Sequence, residues 1–406
     1  MTSVALADWL VDSGLRNLPL EELIDGFGRR LNESGVTTAR LFVGMNTLHP
    51  LIRARSVIWD RATGPATRFE FQHAEVDAPI IAQSPFVVML RGGVAERRVS
   101  LTLPAAKSEA PLFAELREAG MTDWLGRIFP FGELEFQVQG PSIPQAGGRL
   151  GLACSVSTDR PGGFTSADMT VLGTVLPLFA LAVKAITLRT VGQGLLAAYL
   201  GSDPAARVLS GRLQRGELQG VEAVLFYADL RGFTAFADRL PPHELIGLLD
   251  NCFDCMVRPV TRRGGEVLKF LGDGLLAVFS TEQRHRDETC ALALAGASEA
   301  LDLMDLLAQE RRKDGRSTPG LDIALHVGKV LYGNVGTDAR LDFTVIGPAV
   351  NEAARIELLC KELDRNLLVS EAFAAAAGRS RDHLVSLGRH QLRGVREATE
   401  LFTLAA

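Results

Sequence analysis

Two short apolar segments of the chain each lead to an aspartate with glycine close by. Phe226-Tyr-Ala precedes Asp229, and the apolar run after Lys269 leads into Gly272-Asp273-Gly274. Such runs predict strands, so the two carboxylates are expected at neighbouring strand ends, where the chain turns. Mg²⁺ usually binds one or two protein carboxylates together with phosphates of the substrate. Either aspartate alone would be interpreted as a turn residue, but the pair predicts a metal-dependent site for a nucleoside triphosphate.

The residues directly after Asp229 form a second candidate element of this site. Gly232 permits a sharp turn, after which successive backbone N–H groups can bind phosphate oxygens. A helix that begins near Thr234 would add the positive end of its dipole. The predicted phosphate-binding segment is therefore Arg231, Gly232, Phe233 and Thr234. Without Asp229, the same segment would be interpreted as an ordinary turn between a strand and a helix.

Asn351 and Arg355 lie four residues apart on a helix predicted over residues 350–363. Residues at this spacing share one helix face. Arginine presents a planar fork of donors that suits phosphate oxygens, and asparagine can orient a ribose. Because neighbouring alanines and Ile356 predict a largely buried helix, we expect Arg355 to need a partner. This expectation favours a functional role over a solvated polar face.

Residues 215–406 resemble the catalytic region of the class III nucleotidyl cyclases, most closely the adenylyl cyclases of the bicarbonate-responsive, soluble subgroup. The resemblance rests on the segments already described and on Phe343-Thr-Val-Ile-Gly347. It implies an α/β (α+β) fold with a ferredoxin-like catalytic domain, which the predicted order strand, helix, strand, strand, helix, strand also fits. The predicted elements include a helix over 242–262, a hairpin around Gly272-Asp273-Gly274, and strands over 321–326, 330–335 and 341–346. It also implies conversion of ATP to 3′,5′-cyclic AMP and pyrophosphate by a two-metal mechanism.

The resemblance assigns a role to each candidate residue. Asp229 and Asp273 match the carboxylates that hold two Mg²⁺ (or Mn²⁺) ions, and the backbone carbonyl of Leu230 matches a further metal contact. Asn351 matches the residue that orients the ribose, and Arg355 matches the arginine that stabilises the transition state. A basic residue near the C-terminus contacts the triphosphate in this family, and Arg393 and Arg396 are both candidates for it.

Lys269 and Thr344 match the two positions that recognise the base. Lysine can donate to N1 of adenine, and threonine can bond to the N6 side, whereas guanylyl cyclases carry glutamate and cysteine at these positions. ATP is therefore predicted over GTP. Threonine at position 344, where many members carry aspartate, marks the bicarbonate-responsive subgroup and permits that response.

The family's active site lies between two chains, which implies a homodimer with two equivalent shared sites. One chain supplies the metal aspartates, and the other supplies Lys269, Thr344, Asn351 and Arg355. The alternatives are a catalytically silent nucleotide-binding regulator of the same fold, or a guanylate cyclase. A diguanylate cyclase is disfavoured, since Gly264-Gly-Glu-Val267 lacks the acidic signature of that family.

The 406 residues predict two or three domains. We predict a sensory or regulatory domain over residues 1–185, a helical signalling linker over 186–220 and the cyclase domain over 221–406. Residues 157–168, which lead into an apolar helix, resemble the last strand and helix of GAF domains. A helical pattern is predicted within residues 15–45. The linker would either couple the domains or merely tether them, and the ligand of the first domain is unknown.

Composition excludes several classes of protein. A net charge of −5 and a pI near 5.9 give no indication of a nucleic-acid partner. Five cysteines in 406 residues disfavour a disulfide framework and fit the cytoplasm. The most apolar window, 169–183, is shorter than the roughly 20 residues of a membrane span, so we predict a buried helix with no membrane partner. His49 and His73 could bind haem or another cofactor, but lone histidines are more often structural, and that role is favoured.

Overall fold

The computed structural model describes residues 1–47, 52–72, 83–103, 110–136, 148–212, 214, 216–282 and 284–405. It divides into two compact units, Met1–Leu195 and Leu196–Ala406. The predicted linker 186–220 therefore falls partly in each unit. His49 and His73 lie outside the described residues.

The first unit is built on an antiparallel sheet with the strand order β3-β2-β1-β6-β5-β4. Its strands are β1 Arg40–Asn46, β2 Ile52–Asp60, β3 Gly64–Gln72, β4 Glu96–Ser100, β5 Asp123–Phe136 and β6 Gly148–Thr158. Its helices are α1 Ser3–Leu15, α2 Leu20–Glu33, α3 Pro85–Arg91, α4 Pro111–Glu118 and α5 Ser166–Leu200. Helices α1, α2 and α5 contribute to one apolar core, and α3 and α4 contribute to a second.

Helix α2 follows from the spacing of its apolar residues. Leu23, Ile24, Phe27 and Leu31 are fully buried and recur at three- and four-residue intervals. The helix predicted within residues 15–45 is therefore shorter in the structure, where α2 ends at Glu33 and the chain then turns into β1. The sequence reasoning missed α1.

Helix α5 is the one helix of the described residues that is long and apolar enough to cross a membrane by length and composition. Half of its most apolar window is buried within the protein. Its buried residues include Leu172, Val175, Phe179 and Val183, which pack in the core of the first unit. The helix runs unbroken through Pro177.

The second unit contains an eight-stranded sheet in the order β13-β14-β12-β10-β7-β9-β8, with β11 paired to β10. Its strands are β7 Leu218–Arg231, β8 Glu266–Leu271, β9 Gly274–Ser280, β10 Gly320–Gly336, β11 Leu341–Ile346, β12 Leu367–Ser370, β13 Leu384–His390 and β14 Thr399–Leu404. Its helices are α6 Ser202–Leu209, α7 Thr234–Ala237, α8 Pro242–Arg262, α9 Arg286–Lys313, α10 Pro348–Glu362 and α11 Glu371–Ala376, with a 3₁₀ helix at Gly378–His383.

The core of this unit confirms the predicted order of strand, helix, strand, strand, helix, strand. Strands β7, β8, β9 and β10 are all paired antiparallel, α8 joins the first two, and α9 joins the last two. Helices α8 and α9 pack on one face of the sheet. Helix α10 packs on the other face, through Ala349, Ala353 and Ile356. The α+β fold predicted for this region is therefore confirmed.

One strand differs from the prediction. Two strands were expected over residues 321–326 and 330–335, whereas β10 is continuous from Gly320 to Gly336. Gly328 lies within the strand, in register with Ala223 of β7. A Cβ built on Gly328 would lie 2.4 Å from the Cβ of Ala349. The glycine therefore permits the close approach of α10 rather than marking a turn.

Candidate active site

The structure brings Asp229 and Asp273 to the same end of the sheet. Asp229 is near the end of β7, and Asp273 lies in the turn between β8 and β9. Ala228 is in register with Leu275, so the turn lies beside Asp229. A Cβ built on Gly274 would lie 2.4 Å from the carbonyl oxygen of Ala228 and 2.6 Å from Oδ1 of Asp229. Only glycine allows this hairpin to approach the aspartate so closely.

The electrostatics of this corner favour a bound cation. Burial, together with the negative charges of Asp273 and Asp322, raises the pKa of Asp229 to about 6. A divalent cation would relieve this repulsion, so the donor set fits Mg²⁺ or Mn²⁺. In the part of the chain that the structure describes, no group of three or more His, Cys, Asp or Glu residues could hold an ion. Substrate phosphates would have to complete the coordination.

The side chain of Arg231 forms an ion pair within the protein. Its Nε donates to Oδ2 of Asp322 at 2.9 Å and its Nη2 donates to Oδ1 at 2.5 Å. Nη2 also donates to the carbonyl of Arg365 at 3.1 Å. Asp322 is buried, and the pair fixes β7 to β10 where Asp322 lies opposite Asp229. The guanidinium is thus a structural ion-pair partner, and only the backbone of Arg231 is left for a phosphate.

The turn after Arg231 has the predicted sharp geometry. Gly232 has a φ of +78°, a conformation that glycine adopts without strain, and α7 begins at Thr234 as expected. The N–H of Phe233, however, donates to the carbonyl of Leu230 at 3.3 Å, and its ring packs in the core. The N–H of Phe233 is therefore engaged within the turn.

Lys269 and Thr344 lie on strands that approach each other, β8 and β11. The Nζ of Lys269 is 3.5 Å from Oδ2 of Asp342, which stands two residues before Thr344 on the same strand. Thr344 is 5% exposed, and its Oγ1 has no hydrogen-bond partner among the described residues. A buried hydroxyl without a partner destabilises the fold by about 1–3 kcal/mol. This position is therefore suited to bonding a ligand.

The environment of α10 corrects one expectation. Asn351 is exposed and Arg355 is only partly buried, so Arg355 is not the buried cation that the sequence predicted. It forms no ion pair with any residue that the structure describes. The buried side of the helix is occupied by other residues, among them Ala353 and Ile356. Both polar side chains are consequently accessible to a ligand.

The loop between β13 and β14 lies against Arg355. A Cβ built on Gly394 would be 3.5 Å from Nη2 of Arg355. Arg393 and Arg396 flank this glycine and are both exposed. The loop therefore adds positive charge next to Arg355, and neither of the two arginines is singled out.

Three acidic residues of this region were missed by the sequence reasoning. Asp322 and Glu357 are buried, and Asp342 contacts Lys269. Burial, together with the negative charges of Asp229 and Asp322, raises the pKa of Glu357 to about 7. Glu357 stands four residues after buried Ala353, so helical spacing could have placed it on the inner face of α10. No short-range signal links Asp322 to Arg231.

Comparison with known proteins connects this region to one enzyme family. Residues 218–406 match the family model described as the adenylate and guanylate cyclase catalytic domain. The adenylate cyclase of Anabaena cylindrica is 34% identical over 150 residues, which cover 36% of this chain and 29% of that protein. An uncharacterised protein of Mycobacterium tuberculosis (strain ATCC 25618 / H37Rv) is 33% identical over 245 residues, covering 60% of this chain and 44% of that protein.

The solved structure of the adenylyl cyclase CyaB from P. aeruginosa is also similar. It is 25% identical, covers 47% of this chain and 96% of its own, and superposes with a TM-score of 0.42. The chain spans less than half the length of the two curated relatives described above. The family match lies within the second unit, and it includes every candidate site residue.

Proposed function

On the premise that residues 218–406 form a catalytic domain of the class III adenylate and guanylate cyclase family, we propose that the chain converts ATP to 3′,5′-cyclic AMP and pyrophosphate. The observation that supports the choice of ATP is the contact of Lys269 with Asp342, on the strand that also carries the buried, unpartnered hydroxyl of Thr344. A guanine base would present its own donor at N1, which a lysine cannot accept, because an ammonium group has donors only.

The carboxylates of Asp229 and Asp273 would hold the metal ions together with the triphosphate. Bound Mg²⁺ or Mn²⁺ would make the 3′-hydroxyl a better nucleophile and neutralise phosphate charge. The raised pKa of Asp229 supports this assignment, since a cation at that point stabilises its charged form. The carbonyl of Leu230 lies at the same strand end.

The remaining residues would orient the substrate and stabilise the developing charge. The 3′-oxygen attacks the α-phosphorus, the bond to the β-phosphate oxygen breaks, and the proton of the hydroxyl is released. Asn351 would position the ribose, and Arg355 would bond to the α-phosphoryl oxygens. Arg393 or Arg396 would neutralise the departing pyrophosphate. The accessibility of Asn351 and Arg355 on α10 supports these roles.

We place the active site between two copies of the chain. Exposed apolar side chains occur on the strands near the proposed base site, which is typical of a surface that another chain covers. Leu331 and Ile346 are in register on β10 and β11 and are 43% and 38% exposed, and Phe270 of β8 is 53% exposed. A homodimer would bury such a surface and contain two equivalent sites.

The N-terminal unit would regulate this activity. Helix α5 leads from the first unit as one uninterrupted helix, and α6 begins two residues after it ends. A rigid helix can transmit a displacement along its axis, whereas a flexible tether cannot.

Direct assay of the purified full chain tests the proposal. ATP and GTP are supplied separately with Mg²⁺ or Mn²⁺, and cyclic nucleotide and pyrophosphate are quantified. Cyclic AMP should be the main product, and chelation of the metal should abolish it. Preferential formation of cyclic GMP would establish the guanylate cyclase alternative. ATP binding without any cyclic product would establish the silent regulator.

A further inference from the structure

The first unit contains a pocket on the face of its sheet that carries α3 and α4. Its volume is about 220 Å³, and it lies between these helices and strands β1, β2, β5 and β6. Aromatic rings form much of its wall. Phe42 stacks on Phe86 with ring centres 5.4 Å apart, and Phe86 and Phe113 contact Trp124 at 5.7 and 5.0 Å. An engineered apolar cavity of about 150 Å³ holds benzene. This pocket is therefore large enough for a single aromatic ring or for two fused rings.

Trp124 is the most informative residue of the pocket. Its side chain is fully buried, yet its indole N–H has no hydrogen-bond partner among the described residues. The buried Trp59 on the opposite face of the sheet differs, because its N–H donates to Asp25 at 3.0 Å. Buried tryptophans normally satisfy this donor. The indole of Trp124 is therefore a donor that the protein itself leaves unused.

Two hydroxyl groups line the same pocket. Ser155 and Ser157 lie on β6, point to the same face by strand alternation, and are 5% and 2% exposed. Neither hydroxyl bonds to any side chain or backbone group that the structure describes. Arg40 of β1 also borders the pocket and forms no ion pair with a described residue. The polar groups on the strand side of the pocket can thus donate hydrogen bonds, whereas Glu115 on the helix side is an acceptor.

We propose that this pocket binds a small planar aromatic molecule that carries hydrogen-bond acceptors, such as a carbonyl group on a ring. The stacked rings would enclose its flat faces. The indole N–H of Trp124 and the hydroxyls of Ser155 and Ser157 would bond to its acceptors. A purely apolar molecule would leave these groups unsatisfied, at a cost of about 1–3 kcal/mol each, so the site discriminates against it.

Titration of the full-length protein with 4-hydroxybenzaldehyde tests this inference. The probe has one ring and a carbonyl acceptor, and binding is measured by calorimetry and by ligand-observed NMR up to about 5 mM, since fragments of this size bind near millimolar. We expect saturable binding of one molecule per chain. Toluene, which fills similar space without an acceptor, should bind at least about threefold more weakly.

Two variants and a control locate the binding. Ser155→Leu places a larger side chain into the pocket and should abolish binding. Trp124→Phe keeps an aromatic ring but removes the donor, and it should weaken binding about threefold or more. Trp9→Phe alters a partly buried tryptophan of the opposite core and should bind like the parent protein. Circular dichroism and the melting temperature establish that each variant is folded.

The inference is overturned if the parent protein shows no saturable binding over this range. It is also overturned if folded Ser155→Leu binds as tightly as the parent protein, because the probe then occupies another place. Equal affinities of the parent protein and Trp124→Phe would refute the role of the indole. The experiment measures binding alone, so its failure is independent of whether the second unit makes cyclic AMP.

Discussion

The hydroxyl of Tyr332 donates to Oδ2 of Asp203 at 2.7 Å, which joins α6 to the central strand β10. Arg207 of α6 also binds this oxygen, at 2.7 Å, and its guanidinium lies 4.9 Å from the centre of the Tyr332 ring. The ring in turn contacts Phe343 edge-on, with centres 4.8 Å apart. Phe343 directly precedes Thr344. A continuous series of contacts thus connects α6 to the proposed base-recognition site.

Tyr332→Phe should loosen α6 while the ring contact with Phe343 is retained. The variant loses one hydrogen bond to a carboxylate, worth about 1.5–3 kcal/mol. We expect faster amide hydrogen exchange in residues 202–209, measured by mass spectrometry. Tyr199→Phe is the matched control, because Tyr199 is 80% exposed. Unchanged exchange in Tyr332→Phe would show that other contacts hold α6 in place.

Arg355→Ala should reduce turnover far more than it reduces ATP affinity. An arginine that stabilises transferring phosphoryl groups contributes on the order of 10³-fold in rate in other enzymes, and little of that appears in the ground state. Steady-state kinetics gives turnover, and equilibrium titration with a non-hydrolysable ATP analogue gives affinity. Lys361→Ala removes an exposed cation from the same helix and should change neither. Normal turnover in Arg355→Ala would refute its catalytic assignment.

Mixed dimers test whether the sites are shared between chains. Asp229→Ala and Arg355→Ala should each be nearly inactive alone. A heterodimer of the two contains one site with both defects and one intact site, so the purified heterodimer should recover roughly half of the parent activity. The activity is measured after co-expression with different tags and tandem purification. Absence of recovery in verified heterodimers would place each site within a single chain.

Thr344→Val should impair catalysis without destabilising the protein. The hydroxyl of Thr344 has no partner among the described residues. Its removal therefore breaks no hydrogen bond within the protein and eliminates the cost of burying an unsatisfied polar group. We expect an unchanged or higher melting temperature together with a lower kcat/KM for ATP. Thr403→Val is the contrasting control, because Thr403 Oγ1 donates to the carbonyl of Leu367 at 2.8 Å. That variant should lose about 1 kcal/mol of stability and keep its activity.

His326 should make the protein sensitive to acid. Burial lowers the pKa of His326 to about 4. Its Nδ1 lies 2.9 Å from Ser370 Oγ and its Nε2 lies 3.5 Å from Glu352. An unfolded histidine titrates near 6.5, so between pH 6.5 and 4 only the unfolded chain binds the proton. The free energy of unfolding therefore falls as the pH falls through this range, by about 2 kcal/mol between pH 7 and 5.

Urea unfolding at pH 7 and pH 5 measures this effect. His326→Gln removes the titrating group. Between pH 7 and pH 5 this variant should therefore lose less stability than the parent protein, by most of the about 2 kcal/mol attributed to His326. His243→Gln changes an exposed histidine and should behave as the parent protein does. If the free energy of unfolding falls equally in His326→Gln and in the parent protein between pH 7 and pH 5, other groups cause the acid sensitivity.

The sequence by itself determined those features that depend on local spacing. The hairpin around Gly272-Asp273-Gly274, the helix from Pro242 to Arg262 and the strand from Leu341 to Ile346 were predicted and are confirmed. Alternation and helical periodicity report which side chains are buried within one element, and turn residues mark where elements end. The position of Asp229 and Asp273 at strand ends was predictable for the same reason.

Only the tertiary structure decided which charged and polar groups have partners. The predicted phosphate contact of Arg231 involves its backbone, whereas its side chain is held by Asp322, which is 91 residues away in the chain. Two strands were predicted where β10 is continuous, because the helix that requires the missing Cβ of Gly328 lies beyond the range of local patterns. The unused N–H of Trp124 and hydroxyl of Thr344 are likewise visible only when every neighbouring acceptor and donor is in place. Hydrogen-bond satisfaction depends on contacts between distant segments, and a one-dimensional pattern does not contain them.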